Sequence, residues 1–266
     1  MNLIVCVKQV PDPEAPPASF KVDTATNKVV PPPGVPPVLS PFDGQATEAA
    51  LRLKDAHGGK ITVLSLGNKL VREVVKKPLA MGADEIILLE DGSYDEGDSW
   101  STAYALAMAI KKIGTYDLIF CGRQAADWDA GQVGSGIAEF LGIPCVTIAK
   151  KVEVASGKVR VERVVTDGYE VIESPMPCLI TVSNELGEPR YAPLKGIMAA
   201  AKKQPIIWKP QDIGVDPSKI GAQGRHTRLT KLFQPVREAK CEIIGGENVA
   251  EAAVSLALRL REAKVI

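Results

Sequence analysis

Apolar positions fall along this chain in two alternating rhythms. Residues 3–7, 61–66, 85–89, 118–121, 145–149 and 179–182 are apolar almost throughout and rich in β-branched side chains. That is the pattern of strands buried on both faces, as in a parallel sheet. Between them, residues 45–56, 70–81, 99–113 and 133–141 have helical length and helical spacing of apolar side chains. The βαβ alternation predicts an α/β fold, a doubly wound and mainly parallel Rossmann-like sheet with right-handed crossovers.

Three stretches depart from this rhythm. Residues 11–41 hold ten of the twenty prolines, which excludes helix or central strand there. A connection of that length inside a compact domain is usually functional or flexible. From Lys151 to Glu173 the period becomes two, with Ser156-Gly157 and Asp167-Gly168 where hairpin turns belong; a small antiparallel meander on the sheet edge is expected. After Lys203 the rhythm stops, and residues 204–245 carry proline, glycine and isolated charges. A last helix is expected from Asn248, an N-cap with Glu251 three residues on, its apolar stripe running through Val249, Ala252, Ala253, Leu256 and Leu260. The division this predicts is a nucleotide-binding core over residues 1–204 and a C-terminal arm over residues 205–266.

Composition narrows the function. The 266 residues, 45% apolar, suffice for one good core. Thirty-two basic residues balance thirty-two acidic ones, so nothing draws the chain to nucleic acid or an anionic membrane. No apolar run reaches the ~18–20 residues of a bilayer span, and the opening residues read as a first strand rather than a signal peptide. Five widely spaced cysteines (Cys6, Cys121, Cys145, Cys178 and Cys241) without a CxxC fit free thiols in a reducing cytoplasm. Neither histidine, His57 or His226, has a metal-ligand spacing around it.

The most informative segment runs from Cys121 to Gly136, Cys-Gly-Arg-Gln-Ala-Ala-Asp-Trp-Asp-Ala-Gly-Gln-Val-Gly-Ser-Gly. It leaves a buried strand at its carboxyl end and opens a helix, the place where doubly wound folds bind ligands. Gly131, Gly134 and Gly136 permit close backbone approach, and the free N–H groups of the helix start are a seat for phosphate. Arg123 adds a charged donor. Asp127 and Asp129 are placed either to take ribose hydroxyls or to cap the helix.

Several motifs are missing. No G-x-G-x-x-G follows the first strand, and there is no G-x-x-x-x-G-K-[ST] or G-x-S-x-G. No Cys/His or Ser/His pairing stands out. A chain that holds a nucleotide without group-transfer side chains points to a redox protein whose cofactor carries the chemistry.

Read together, the motifs resemble electron-transfer flavoprotein β subunits, the family that includes FixA. Gly122-Arg123-Gln124 with Asp127, Asp129 and Gln132-Val133-Gly134 is similar to the family's adenine-nucleotide loop. Residues 5–12, Ser40-Pro41-Phe42-Asp43 (serine for the usual asparagine), residues 80–84 and the hairpin from Arg163 to Thr181 agree with it. Thr166 stands where an acidic residue is usual, and Trp128 where a small one is. The loop over residues 184–192 resembles the one that recognises partner dehydrogenases. The likeness covers residues 3 to about 205; the tail matches in position rather than by motif.

The resemblance implies an obligate heterodimer with an α subunit that carries its own FAD. Conventional members keep AMP in the β-subunit site; electron-bifurcating and quinone-linked members place a second FAD there. Gly122-Arg123-Gln124 and Gln132-Val133-Gly134 look like the two-FAD group. Carried over by position, the nucleotide contacts are Cys6, Ser40, Pro41, Phe42, Asp43, Leu66, Gly122, Arg123, Gln124, Asp127, Asp129, Gly131, Gln132, Val133 and Gly134. Leu186, Glu188, Pro189 and Arg190 fall in the partner loop, where Leu186 is expected as an exposed anchor. The implied donor is NADH. The acceptors are a partner dehydrogenase and a ferredoxin, flavodoxin or quinone reductase. Two other classes, a stand-alone ATP/AMP sensor of universal-stress type and a nucleotide-activating ligase, are disfavoured because their phosphate-loop spacings are missing.

Overall fold

The computed structural model describes residues 1–235 and 241–266. Strand β1 (Asn2–Cys6) leads into β2 (Gln9–Val10). The proline-rich loop follows, carrying a small hairpin of β3 (Lys21–Asp23) and β4 (Lys28–Val30) and closing with β5 (Val38–Leu39). Pairing of β2 with β5 pinches the two ends of that loop together. Next come α1 (Pro41–His57), β6 (Lys60–Gly67), α2 (Arg72–Val75), α3 (Lys77–Met81), β7 (Glu85–Glu90), α4 (Ser99–Ile113), β8 (Leu118–Gly122) and α5 (Gln132–Leu141). The meander and last core strand are β9 (Cys145–Ala155), β10 (Lys158–Val165), β11 (Gly168–Pro175) and β12 (Cys178–Val182). The chain ends through α6 (Leu194–Lys202), β13 (Ile206–Trp208), α7 (Gly221–Gly224) and α8 (Val249–Glu262).

The main sheet has the order β11-β10-β9-β12-β8-β1-β6-β7-β13. Pairing is parallel from β9 to β13, while β10 and β11 add the antiparallel meander at one edge. The central strands β1, β6, β7, β8 and β12 are largely apolar because both faces are covered. Leu3 and Val5 join one core with Leu51, Leu53, Ile61 and Val63. Ile4 and Cys6 join the other with Leu106, Ile110, Leu64 and Ile137. From β1 the chain winds outward through β6 and β7, then returns to place β8 on the other side of β1. That reversal is the topological switch point, and the crevice beyond the carboxyl ends of β1 and β8 is where such a sheet binds ligands.

Several elements depart from the expectations. The helix expected at 45–56 begins at Pro41, whose fixed φ and missing N–H suit a first turn. The helix expected over 70–81 is two short pieces, α2 and α3, since Pro78 cannot donate to the turn before it. Strand β9 runs on to Ala155 through an irregularity at Ile148 (φ 59°), which turns it from the parallel partner β12 to the antiparallel partner β10. The chain after residue 204 does not leave the core at once. β13 pairs with β7, and Ile213, Val215 and Ile220 are buried in the α4 core. The His226 and Thr227 N–H groups then donate to Asp98 Oδ2 (2.7 and 2.9 Å). The division expected at 204/205 therefore cuts just before an edge strand, and the chain stays attached as far as Leu232, whose N–H donates to Asn27 Oδ1 (2.9 Å).

Helix α8 begins as expected, with Asn248 Oδ1 accepting from Glu251 N–H, and none of its residues is buried. Residues 236–240 of the expected arm lie outside the described residues. Among the described residues no helix is long and apolar enough to cross a membrane.

Candidate functional site

Three chain segments meet at the switch point: the end of β1, the start of α1, and the exit of β8. Asp43, buried, staples them. Its Oδ2 accepts from the Lys8 N–H (2.7 Å) and its Oδ1 from the Gly122 N–H (3.1 Å). Burial pushes the Asp43 carboxyl up to about 7, against the pull of those two N–H donors and of the Lys8 ammonium. The approach is close enough to require Gly122. A Cβ there would lie 2.5 Å from Asp43 Oδ1 and 2.7 Å from Phe42 Cβ.

The β8–α5 loop is held from within. Asp129 (φ 52°) donates its N–H to the Ala125 carbonyl, and the Ala125 N–H donates to Ala130 O. Gln124 Nε2 donates to Asp129 Oδ1 (2.9 Å), and Lys8 Nζ grips both oxygens of Asp127 (2.7 and 2.8 Å). Each aspartate thus has a partner, Asp129 within the loop and Asp127 at the end of β1, and neither caps the helix. Helix α5 starts behind Gly131 with no side chain on its first N–H groups, which leaves them as donors for an anion. Two glycines are also required by packing. A Cβ on Gly134 would lie 2.7 Å from Thr181 Cγ2, and one on Gly136 2.8 Å from Ala103 Cβ. They let α5 settle on β12 and α4.

The Arg123 guanidinium bridges the loop to the end of β12. It donates to Ser183 Oγ (3.1 Å), Asn184 Oδ1 (3.3 Å) and Gln124 Oε1 (3.1 Å), and lies 5.5 Å from the Phe42 ring centre. Ser40, at the N-cap of α1, does not use its hydroxyl as a cap; Ser40 Oγ is fully buried without a partner. Pro41 is exposed and Phe42 half-buried beside it. Cys6 and Cys121 lie side by side, and contact with Cys6 together with burial holds the Cys121 thiol protonated. Leu66 and Val133 are half-buried against the α4–α5 core, and Gln132 is exposed, its Oε1 accepting from Ser99 Oγ (3.3 Å). Lys8 was not among the expected contacts. Its place directly after the first strand, at the carboxyl end of the sheet, was the available signal.

A phosphate-bearing ligand fits this set: an uncapped helix start, a half-buried aromatic ring and an orphaned buried hydroxyl. No side chain in it is arranged as a nucleophile with a base.

The expected partner loop differs more. Leu186 is not an exposed anchor: the short turn of Asn184–Leu186 tucks it into the α1 core, 7% exposed. The Arg190 guanidinium is engaged within the chain, by Glu48 and by Asp55 (2.8 Å). Pro189 packs on α1 beside Gly44, and Glu188 is exposed. The apolar residues that do face outward come just after: Tyr191 (98% exposed), Leu194 (74%), Ile197 and Met198. Leu194, Ile197 and Met198 sit at i, i+3 and i+4, a helical spacing legible in the sequence.

A family model described as the electron transfer flavoprotein domain matches residues 33–213. The chain is 42% identical over its full length to the electron transfer flavoprotein subunit beta of Thermoanaerobacterium thermosaccharolyticum, again over that protein's full length. It is 40% identical, with both chains wholly covered, to the caffeyl-CoA reductase-Etf complex subunit CarD of Acetobacterium woodii. Protein FixA of Azorhizobium caulinodans is 38% identical across 97% of this chain and 93% of its own. The mainly parallel sheet, the loop at its switch point and these full-length likenesses agree: this chain belongs to the electron-transfer flavoprotein β-subunit family.

Proposed function

We propose that the chain is the β subunit of an electron-transfer flavoprotein heterodimer and holds FAD at the switch point. It passes electrons between NADH, the FAD of an α subunit, and a partner dehydrogenase, with a ferredoxin, a flavodoxin or a quinone reductase as further acceptor, by flavin-based electron bifurcation. The observation that carries the reading is the uncapped start of α5 at the switch point. Its N–H groups favour a diphosphate over a neutral group, and the Arg123 guanidinium, held by neutral partners, adds a positive charge to the loop. Ser40 Oγ offers a free hydroxyl to the ligand, and Asp43 keeps the three segments in register. FAD, when bound, supplies the hydride and single-electron chemistry; the chain binds, orients and shields it.

The likeness to a subunit of a caffeyl-CoA reductase-Etf complex supports an acyl-CoA dehydrogenase as partner, docking on Tyr191, Leu194 and Met198. The C-terminal segment from residue 228 onward, with Val249 and Leu256 exposed on α8, is the arm that holds the α subunit. Free thiols throughout fit a cytoplasmic setting. The test is to denature the purified heterodimer and chromatograph the released nucleotides. Two FAD and no AMP per αβ pair is expected. One FAD with one stoichiometric AMP would make the chain a conventional carrier.

A further inference from the structure

We propose that Glu48 is a positioning residue for partner docking: its buried carboxylate clamps Arg190 and so presents Tyr191 and α6 in one orientation. The inference rests on the reading of that surface as the dehydrogenase site.

Among the ion pairs of the described residues, those of Glu48 have the most deeply buried acid, its side chain only 6% accessible. Both oxygens are saturated. Oε2 accepts from the Arg190 backbone N–H (3.1 Å) and Nε (2.8 Å); Oε1 accepts from Arg190 Nη2 (3.2 Å) and Arg52 Nε (3.0 Å). Burial opposes this charge, yet the arginines outweigh it and hold Glu48 below the ordinary carboxylate range. Arg52 Nη1 in turn donates to the Leu186 carbonyl (3.2 Å), and Asp55 takes the other side of Arg190. Glu48, Arg52 and Asp55 stand at i, i+4 and i+7, so one face of α1 ties down both ends of the 186–190 segment. A buried ion pair is weak evidence for stability, and its best-attested use is to specify one geometry.

What this geometry sets is the start of the exposed patch. Tyr191 follows Arg190 directly. Helix α6 is pinned on α3 by Gly196, where a Cβ would lie 2.2 Å from the Ala80 carbonyl oxygen, and by buried Ala200. Leu194, Ile197 and Met198 are left outward. The patch is therefore held at two points before any partner arrives, which lowers the ordering cost of binding. The same helix, α1, carries Ser40 and Asp43 at its other end. One rod thus relates the docking face to the nucleotide site.

The test uses the αβ heterodimer and a purified acyl-CoA dehydrogenase that the wild-type heterodimer reduces. KM for that dehydrogenase, kcat and bound nucleotide are measured for Glu48→Gln, Arg190→Gln and Leu194→Ala. Glu48→Gln is expected to raise KM about tenfold with kcat and nucleotide content unchanged. Arg190→Gln should raise KM similarly, and the double variant no further than either single one, as a shared clamp requires. A raised KM for Leu194→Ala alongside wild-type KM for both clamp variants overturns the clamp and leaves the docking face standing. An unchanged KM for Leu194→Ala removes the docking face, and the clamp with it. If Glu48→Gln does not fold, Arg190→Gln, which leaves Glu48 paired with Arg52, decides alone.

Discussion

Gly122→Ala is the most direct probe of how the nucleotide site is assembled. The added methyl would lie 2.7 Å from Phe42 Cβ, 2.9 Å from the Phe42 carbonyl carbon and 2.5 Å from Asp43 Oδ1. Carbon atoms pack at about 3.5–4.0 Å, so the overlap approaches 1 Å. One of the atoms struck is backbone in the first turn of α1, and no side-chain rotation relieves it. Either β8 or the start of α1 shifts, and the Gly122 N–H loses its hold on Asp43 Oδ1. Overpacking costs roughly 1–3 kcal/mol and an unmade buried hydrogen bond about as much again, together about 2–6 kcal/mol. At about 2–4 °C per kcal/mol for a chain of this size, Tm should fall by about 4–24 °C. Bound nucleotide should be depleted as well, because the displaced segments carry Ser40 and Arg123. Gly131→Ala is the control. The nearest atom to its Cβ is the Arg123 carbonyl oxygen at 3.2 Å and its φ is negative, so a loss under about 1 kcal/mol is expected. Differential scanning fluorimetry with nucleotide quantification reads both variants. A Gly122→Ala protein that melts within a degree of wild type and keeps its nucleotide would refute this account of the site.

Arg123→Ala should weaken retention of the β-subunit nucleotide roughly ten- to hundred-fold, the worth of one charge-assisted hydrogen bond, and leave the α-subunit flavin bound. Full retention of both after extensive dialysis would assign Arg123 to the Ser183–Asn184 contact alone. Asp43 keeps its proton up to about pH 7 when folded but only to about 3.8 when unfolded, so stability falls as pH rises between those values. The fall amounts to about 4 kcal/mol in all, and Asp43→Asn should abolish that slope in urea midpoints taken from pH 5 to pH 8; parallel profiles would show a normally titrating Asp43. Truncation after Arg228 should leave a folded β core that no longer co-purifies with the α subunit. Truncation after Lys203 should also unfold the α4 side, by exposing the surfaces that Ile213, Val215 and Ile220 cover; retained α-subunit affinity in the shorter deletion would dismiss the arm.

The sequence alone determined whatever depends on neighbours along the chain. Strands apolar on both faces, helices between them and the period-two meander with turns at Ser156-Gly157 and Asp167-Gly168 all follow from local alternation and turn chemistry. So does the cap at Asn248. The loop from Gly122 to Gly134 was legible too, because a strand exit, glycines and a helix start are contiguous. What only the tertiary structure decided involves partners distant in sequence. Asp43 acquires its role from the Lys8 and Gly122 N–H groups, 35 and 79 residues away. Gly134 and Gly136 also let α5 pack closely against Thr181 and Ala103, a contact invisible in spacing. Strand β13 is too short, at three residues, to show a period, and exists because β7 offers it an open edge. Leu186 reads as exposed because glycine and proline surround it. It is drawn inward because α1 presents a core surface to it, and the Glu48 carboxylate on the same helix engages Arg190 within the chain. Burial and charge pairing are settled by what lies across the fold, and a chain read residue by residue does not say what that is.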